Sequence, residues 1–227
     1  MRSGCYNRKH LGKGGAVMRE QSLREEQINA VSHGAGVGLA LAAFALLVVP
    51  RWSSLSTRAL LALGLFLLTA ALLYLSSLLY HAWRSGPQKE RLQLLDRTAI
   101  YGLIAGTYTP VSLLMLRGPL GWGIFAAEWL LAIIGALLLW RLRERFAALS
   151  LWWYLVMGWL ILLAVGPLYQ AAPGLSLWYL GAGGLAYTAG VVFFVMDARR
   201  YFHAIWHLFV LAGTALQFWG IWLAVSS

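Results

Sequence analysis

An all-α integral membrane protein, folded as a seven-transmembrane helix bundle with a cytoplasmic N-terminus, is what this sequence predicts, on three observations. Apolar runs near bilayer-spanning length fall at about 30–49, 59–82, 97–116, 121–140, 149–168, 177–197 and 203–225. The composition is 60% hydrophobic and only 11% charged, more apolar than a soluble core of this size needs. When the connectors are assigned alternately to the two sides of the membrane, 15 of the 18 Lys and Arg residues fall with the N-terminus. That bias places the N-terminus inside and the C-terminus outside, and an even number of spans would destroy it.

Residues 1–27 are polar and basic and read as a disordered cytoplasmic tail, with Met18 as a candidate start. Residues 28–227 form the transmembrane domain. No cleavable signal peptide is expected, because the first apolar run lacks a small-residue cleavage site and is retained as a span.

Into the first span runs a polar stripe, Glu26, Asn29 and His33 at i, i+3 and i+7 with Ser32 beside it. Glu26 reads as a first-turn acid favoured by the helix dipole, and His33 as a supporting or structural residue. The second span ends on Ser77 and His81, the connector Trp83 to Asp96 follows, and Asp96 opens the third span. Gly34-x-x-x-Gly38 and Gly102-x-x-x-Gly106 are expected to let helices approach closely within the bundle. Glu128 lies in the outer half of the fourth span, where no role can be assigned to it. Glu144 and Asp197 neighbour basic connectors and read as solvated ion-pair partners. The seventh span opens with His203-Ala-Ile-Trp-His207.

The formal charge of +10 sits in the short connectors, where it sets topology and does not indicate nucleic-acid binding. The single cysteine, Cys5, excludes an internal disulfide framework and a cysteine-based zinc site. Any metal is therefore held by histidine and carboxylate.

His203 and His207 stand four residues apart, on one helical face, where two imidazoles can share an ion. The predicted topology puts His81 at the cytoplasmic end of the second span, Asp96 in the first turn of the third and both remaining histidines in the first two turns of the seventh. The charge count used no histidine, yet it brings these residues to one depth. Three imidazoles plus water or a carboxylate suit Zn²⁺; copper and iron accept the same ligand types. Asp96 could complete the shell directly or act as general base toward the activated water. Ser77, one turn before His81, could steady a developing oxyanion or back-bond to its own helix.

Ser77-x-x-x-His81, Leu95-Asp96 opening a helix that reaches Gly106-Thr-Tyr-Thr-Pro110, and His203-x-x-x-His207 together resemble the haemolysin III family. So do the stretches Glu26-x-x-Asn29-x-x-Ser32-His33 and Tyr201-Phe-His-Ala-Ile-Trp-His207-Leu-Phe, over roughly residues 25–225. That family stands with the progestin and adipoQ receptors and, more distantly, the alkaline ceramidases. The resemblance implies a zinc ion in the cytoplasmic leaflet held by His81, His203 and His207, with Asp96 and Ser77 close to the water it activates. In relatives such a site is associated with hydrolysis of lipid amides, and bacterial members are linked with cytolysis and with control of membrane fluidity or energetics.

Three functions are weighed. A zinc-dependent hydrolase would act on an amide or ester of a membrane lipid or fatty-acid derivative reaching the cytoplasmic leaflet site, in a bacterial inner membrane. Alternatively, a non-catalytic regulator of membrane fluidity or energetics would use the same ion to tie helices together. A pore-forming cytolysin is disfavoured, since polar groups concentrate at one end instead of lining a whole path.

Overall fold

The computed structural model describes residues 21–226. Over that range the chain forms seven helices long and apolar enough to cross a membrane: α1 Leu23–Arg51, α2 Thr57–Ala82, α3 Pro87–Leu116, α4 Gly118–Leu142, α5 Glu144–Ala171, α6 Gly174–Val195 and α7 Phe202–Ser226. No strand occurs among the described residues, as expected where every backbone group must be satisfied within its own segment. Of the expected tail, residues 1–20 lie outside the described range, Cys5 and Met18 among them.

Several helices start earlier than the apolar runs. Ser22 caps α1 by accepting from the backbone N–H of Glu25, and the Glu25 carboxylate accepts in return from the Ser22 N–H at 3.0 Å. This reciprocal capping box needs no apolar residue, so α1 begins inside what reads as tail. The correction at α3 is larger. Gly86 turns the chain at a φ of +142°, open to glycine, and Pro87 then presets the first helical φ. The connector Trp83 to Asp96 is therefore mostly helix, and Asp96 sits in the third turn of α3 instead of its first. Polar bonds hold that extension, including Trp83 Nε1–H to Gln88 and Gln93 Nε2–H to Tyr80.

α2 and α3 are the central staves, with 50% and 61% of their membrane windows buried in the protein against 11% for α6. Phe66, Leu73 and Tyr74 of α2 join Leu103 of α3 and Val210, Phe218 and Ile221 of α7 in the main core. Outward leucines such as Leu46 and Leu163 face the lipid. Close approach occurs at Gly106, where an added Cβ would run into Thr69, and at Gly36, where it would run into Tyr74 and Leu211. Gly38 and Gly102 face open space. Each expected glycine pair thus overstates the contact, and the first misses Gly36.

α5 is not uniform. It tightens into a 3-10 stretch at Leu160–Ala164. Across this break the Tyr108 hydroxyl donates to the Gly158 carbonyl and accepts from the Ile161 N–H, both at 2.9 Å.

Candidate metal centre

His81 lies in the last turn of α2 and His203 and His207 in the first two turns of α7. One ring nitrogen of each falls within 4.8 Å of those of the other two. The ring centroids are 4.7 to 5.1 Å apart. This is the one group of three or more such ligand atoms found among the described residues. His81 and His207 are 4% and 1% exposed and His203 is partly exposed, so the cluster lies within the bundle's end with one ring nearer its surface.

What the remaining ring nitrogens touch decides what the cluster can do. His81 Nδ1 meets Glu26 Oε2 at 2.7 Å, and Glu26 Oε1 receives the Lys89 ammonium at 2.7 Å. An ionised carboxylate only accepts, so Nδ1 carries a proton, and in the neutral ring Nε2 keeps its lone pair. That Nε2 is buried with no hydrogen-bond partner. His207 Nδ1 lies 3.0 Å from Ser32 Oγ, whose own proton goes to the Asn29 carbonyl at 2.8 Å. Ser32 must therefore accept there, leaving His207 Nε2 free to bind. An imidazole whose second nitrogen is tied to a carboxylate or hydroxyl is the arrangement seen around bound metals, because it fixes the ring and raises its basicity. His203 is held less tightly, with Nδ1 3.9 Å from Asp197 Oδ2, beyond hydrogen-bond range. Asp197 nevertheless lines the site's cavity, so it is no purely solvated partner.

Glu26 is the residue sequence reasoning undervalued. The stripe it belongs to was visible, but its partner lies 55 residues away on another helix, and no local pattern announces that. Ser77 is completely buried, and its hydroxyl does not back-bond to α2; Asp96 is its polar neighbour. Asp96 is half-buried, lies close enough to His81 and Ser77 to interact with both, and lines the same cavity. Its carboxylate stands outside the trio of close ligand atoms. His33 stacks on His207 at 3.6 Å with an interplanar angle of 11° and meets Tyr74 edge-on. It thus backs one histidine of the trio without joining it.

From this cluster a cavity of about 490 Å³ runs through the bundle, from Gln21 and Lys89 at the histidine end to Gln217 at the other. Its walls are largely apolar, with Leu73, Leu103, Leu155 and Val210 among them. α5 and α6, which form one side of it, barely touch each other.

The sequence profile of proteins described as haemolysin-III related matches residues 21–218. The chain belongs to the haemolysin III family. Hemolysin-3 of Bacillus cereus is 41% identical over 198 residues, 87% of this chain and 90% of that protein. A Hemolysin-3 homolog of Bacillus subtilis is 40% identical over 197 residues, 87% and 92% of the two chains. Human monocyte to macrophage differentiation factor is 37% identical over 130 residues, 57% of this chain and 53% of that one, in keeping with the link to the progestin and adipoQ receptors. No solved structure matches. Haemolysin III membership and seven spanning-capable helices make this an integral membrane protein, and its three clustered histidines could hold a metal ion.

Proposed function

We propose that the protein is a zinc-dependent hydrolase of lipid amides or esters, working at the cytoplasmic end of a bacterial inner-membrane bundle. The observation that carries this reading is the His81 ring: Nδ1 pinned by Glu26, Nε2 buried without a hydrogen bond, and two further imidazoles within reach of the ring. Leaving such a nitrogen unpartnered is costly unless something binds it, and the nitrogen-only donor set fits Zn²⁺ with room for a water. His81, His203 and His207 hold the ion. When bound, zinc supplies Lewis-acid polarisation of the scissile carbonyl and makes water a competent nucleophile near neutral pH.

The remaining work belongs to the chain. Asp96 lines the cavity beside the trio without joining it, the place for a general base that accepts the water's proton. Ser77 places a buried hydroxyl in the same wall beside Asp96, able to donate to the oxygen of a carbonyl as charge builds on it. The apolar cavity takes the acyl chain and keeps bulk water from the reacting carbonyl. α5 and α6, joined here by the Trp159 to Thr188 hydrogen bond and few other contacts, are where a lipid would enter sideways.

The test is release of fatty acid or amine from ceramides, acyl-amides and phospholipids by the parent and by Asp96→Asn. The substitution keeps shape and zinc, and activity should fall by about 10²–10⁴. Equal activity with zinc retained removes Asp96 as the base. No product from the parent across those lipids leaves a zinc that only ties α2 to α7.

A further inference from the structure

Glu25 is 2% exposed, and its carboxylate serves two helices. Oε2 accepts from the backbone N–H and the hydroxyl of Ser22, closing the capping box of α1. Oε1 reaches across to α7 and accepts from the Tyr201 N–H at 2.9 Å. Tyr201 is the residue just before α7, and its carbonyl starts that helix by accepting from Ile205 N–H. It also stands at a φ of +63°, in the left-handed region that glycine adopts freely and tyrosine does not. Two residues on is His203, and six residues on His207. A tyrosine side chain is a poor N-terminal cap, so the buried acid of α1 does the work that a local cap would do elsewhere, with a charge placed where the helix dipole favours it.

We propose that Glu25 is a positioning residue of the metal centre. By clamping the Tyr201 N–H it fixes the left-handed turn that aims the first two turns of α7, and so sets His203 and His207 against His81. Its neighbour Glu26 orients His81 on α2, so two consecutive acids of α1 align the two halves of the ligand set. This rests on the trio binding metal, as proposed above. It differs from the role of Glu26, which bonds the His81 ring directly, because Glu25 acts on α7 through the Tyr201 backbone N–H.

The experiment measures zinc affinity by competition with a chromogenic chelator, and thermal stability without metal, on the full-length protein in detergent. Glu25→Ala should weaken zinc about tenfold, the lower end of what outer partners of a metal site contribute. Glu25→Gln keeps an oxygen for the Tyr201 N–H and should stay near the parent. Tyr201→Gly, which adopts the positive φ without help, should restore most of the affinity in the Glu25→Ala background. Ser22→Ala removes the hydroxyl bonds on the α1 side of the clamp and keeps the backbone one; it should lower stability and leave affinity unchanged. Equal zinc affinity in parent and Glu25→Ala overturns the proposal alone, as does failure of Tyr201→Gly to rescue a folded double variant. A parent that binds no zinc overturns the metal reading, and this proposal with it. Should Glu25→Ala fail to fold, the comparison of Tyr201→Gly with Tyr201→Gly plus Glu25→Leu, which fills the volume without an acceptor, decides: equal affinity supports a clamp that glycine makes dispensable, and a tenfold difference contradicts it.

Discussion

His207 and Glu128 are both almost wholly withdrawn from solvent, at 1% and 0% exposure, yet their surroundings are opposite. His207 has Ser32 on one nitrogen, His33 stacked against its face and two further imidazoles converging on it. Glu128 has neither carboxylate oxygen bonded among the described residues, and the residue one turn before it, Ile124, packs in an apolar cluster with Tyr108 and Ala164. Burial of an ionisable group is therefore no index of function in this bundle. What marks a site is that the group's second valence is deliberately satisfied while its first is left open.

Substitutions can break that contrast. The largest effect is expected at the trio, where His81→Ala or His207→Ala should reduce zinc from about one per chain to near none, since a three-ligand site loses most of its affinity with any member. Elemental analysis reads this directly, and full occupancy in either variant takes that histidine out of the ligand set. Next comes Glu26→Ala, which frees the His81 ring to turn and should cost about 10- to 100-fold in zinc affinity; unchanged affinity would show that the carboxylate only answers Lys89. The smallest effect belongs to Glu128→Gln. With no partner to lose, stability in a denaturant titration should stay within about 1 kcal/mol of the parent. A loss of several kcal/mol would reveal a bonded carboxylate and erase the distinction.

Much of this was open to sequence reasoning because it is local. Spans follow from apolar runs, and His203 with His207 from a spacing of four. The misplacement of Asp96 has a physical cause: the first turns of α3 are polar and held by contacts to α1 and α2, so hydropathy starts the helix ten residues too late in the chain. Glycine spacing predicted close approach, but which glycine meets a neighbour depends on how each helix is rotated, and Gly36 and Gly106 were settled by Tyr74 and Thr69. The orienting shell is the least legible layer. Glu26 to His81, Ser32 to His207 and Glu25 to Tyr201 each join helices 55 to 176 residues apart.

The 3-10 break in α5 carries a mechanical meaning of its own. A continuous helix is a stiff rod, whereas one interrupted at Leu160–Ala164 and mended by a phenol from α3 is two shorter rods with a joint between them. The pivot, Gly158 with its neighbour Trp159, lies in the cavity wall. Bending there exchanges one pair of hydrogen bonds instead of a full helical turn, so the wall on that side can give at the joint, and Tyr108→Phe should loosen it further, raising amide exchange around Ile161 while leaving the histidine end as protected as before.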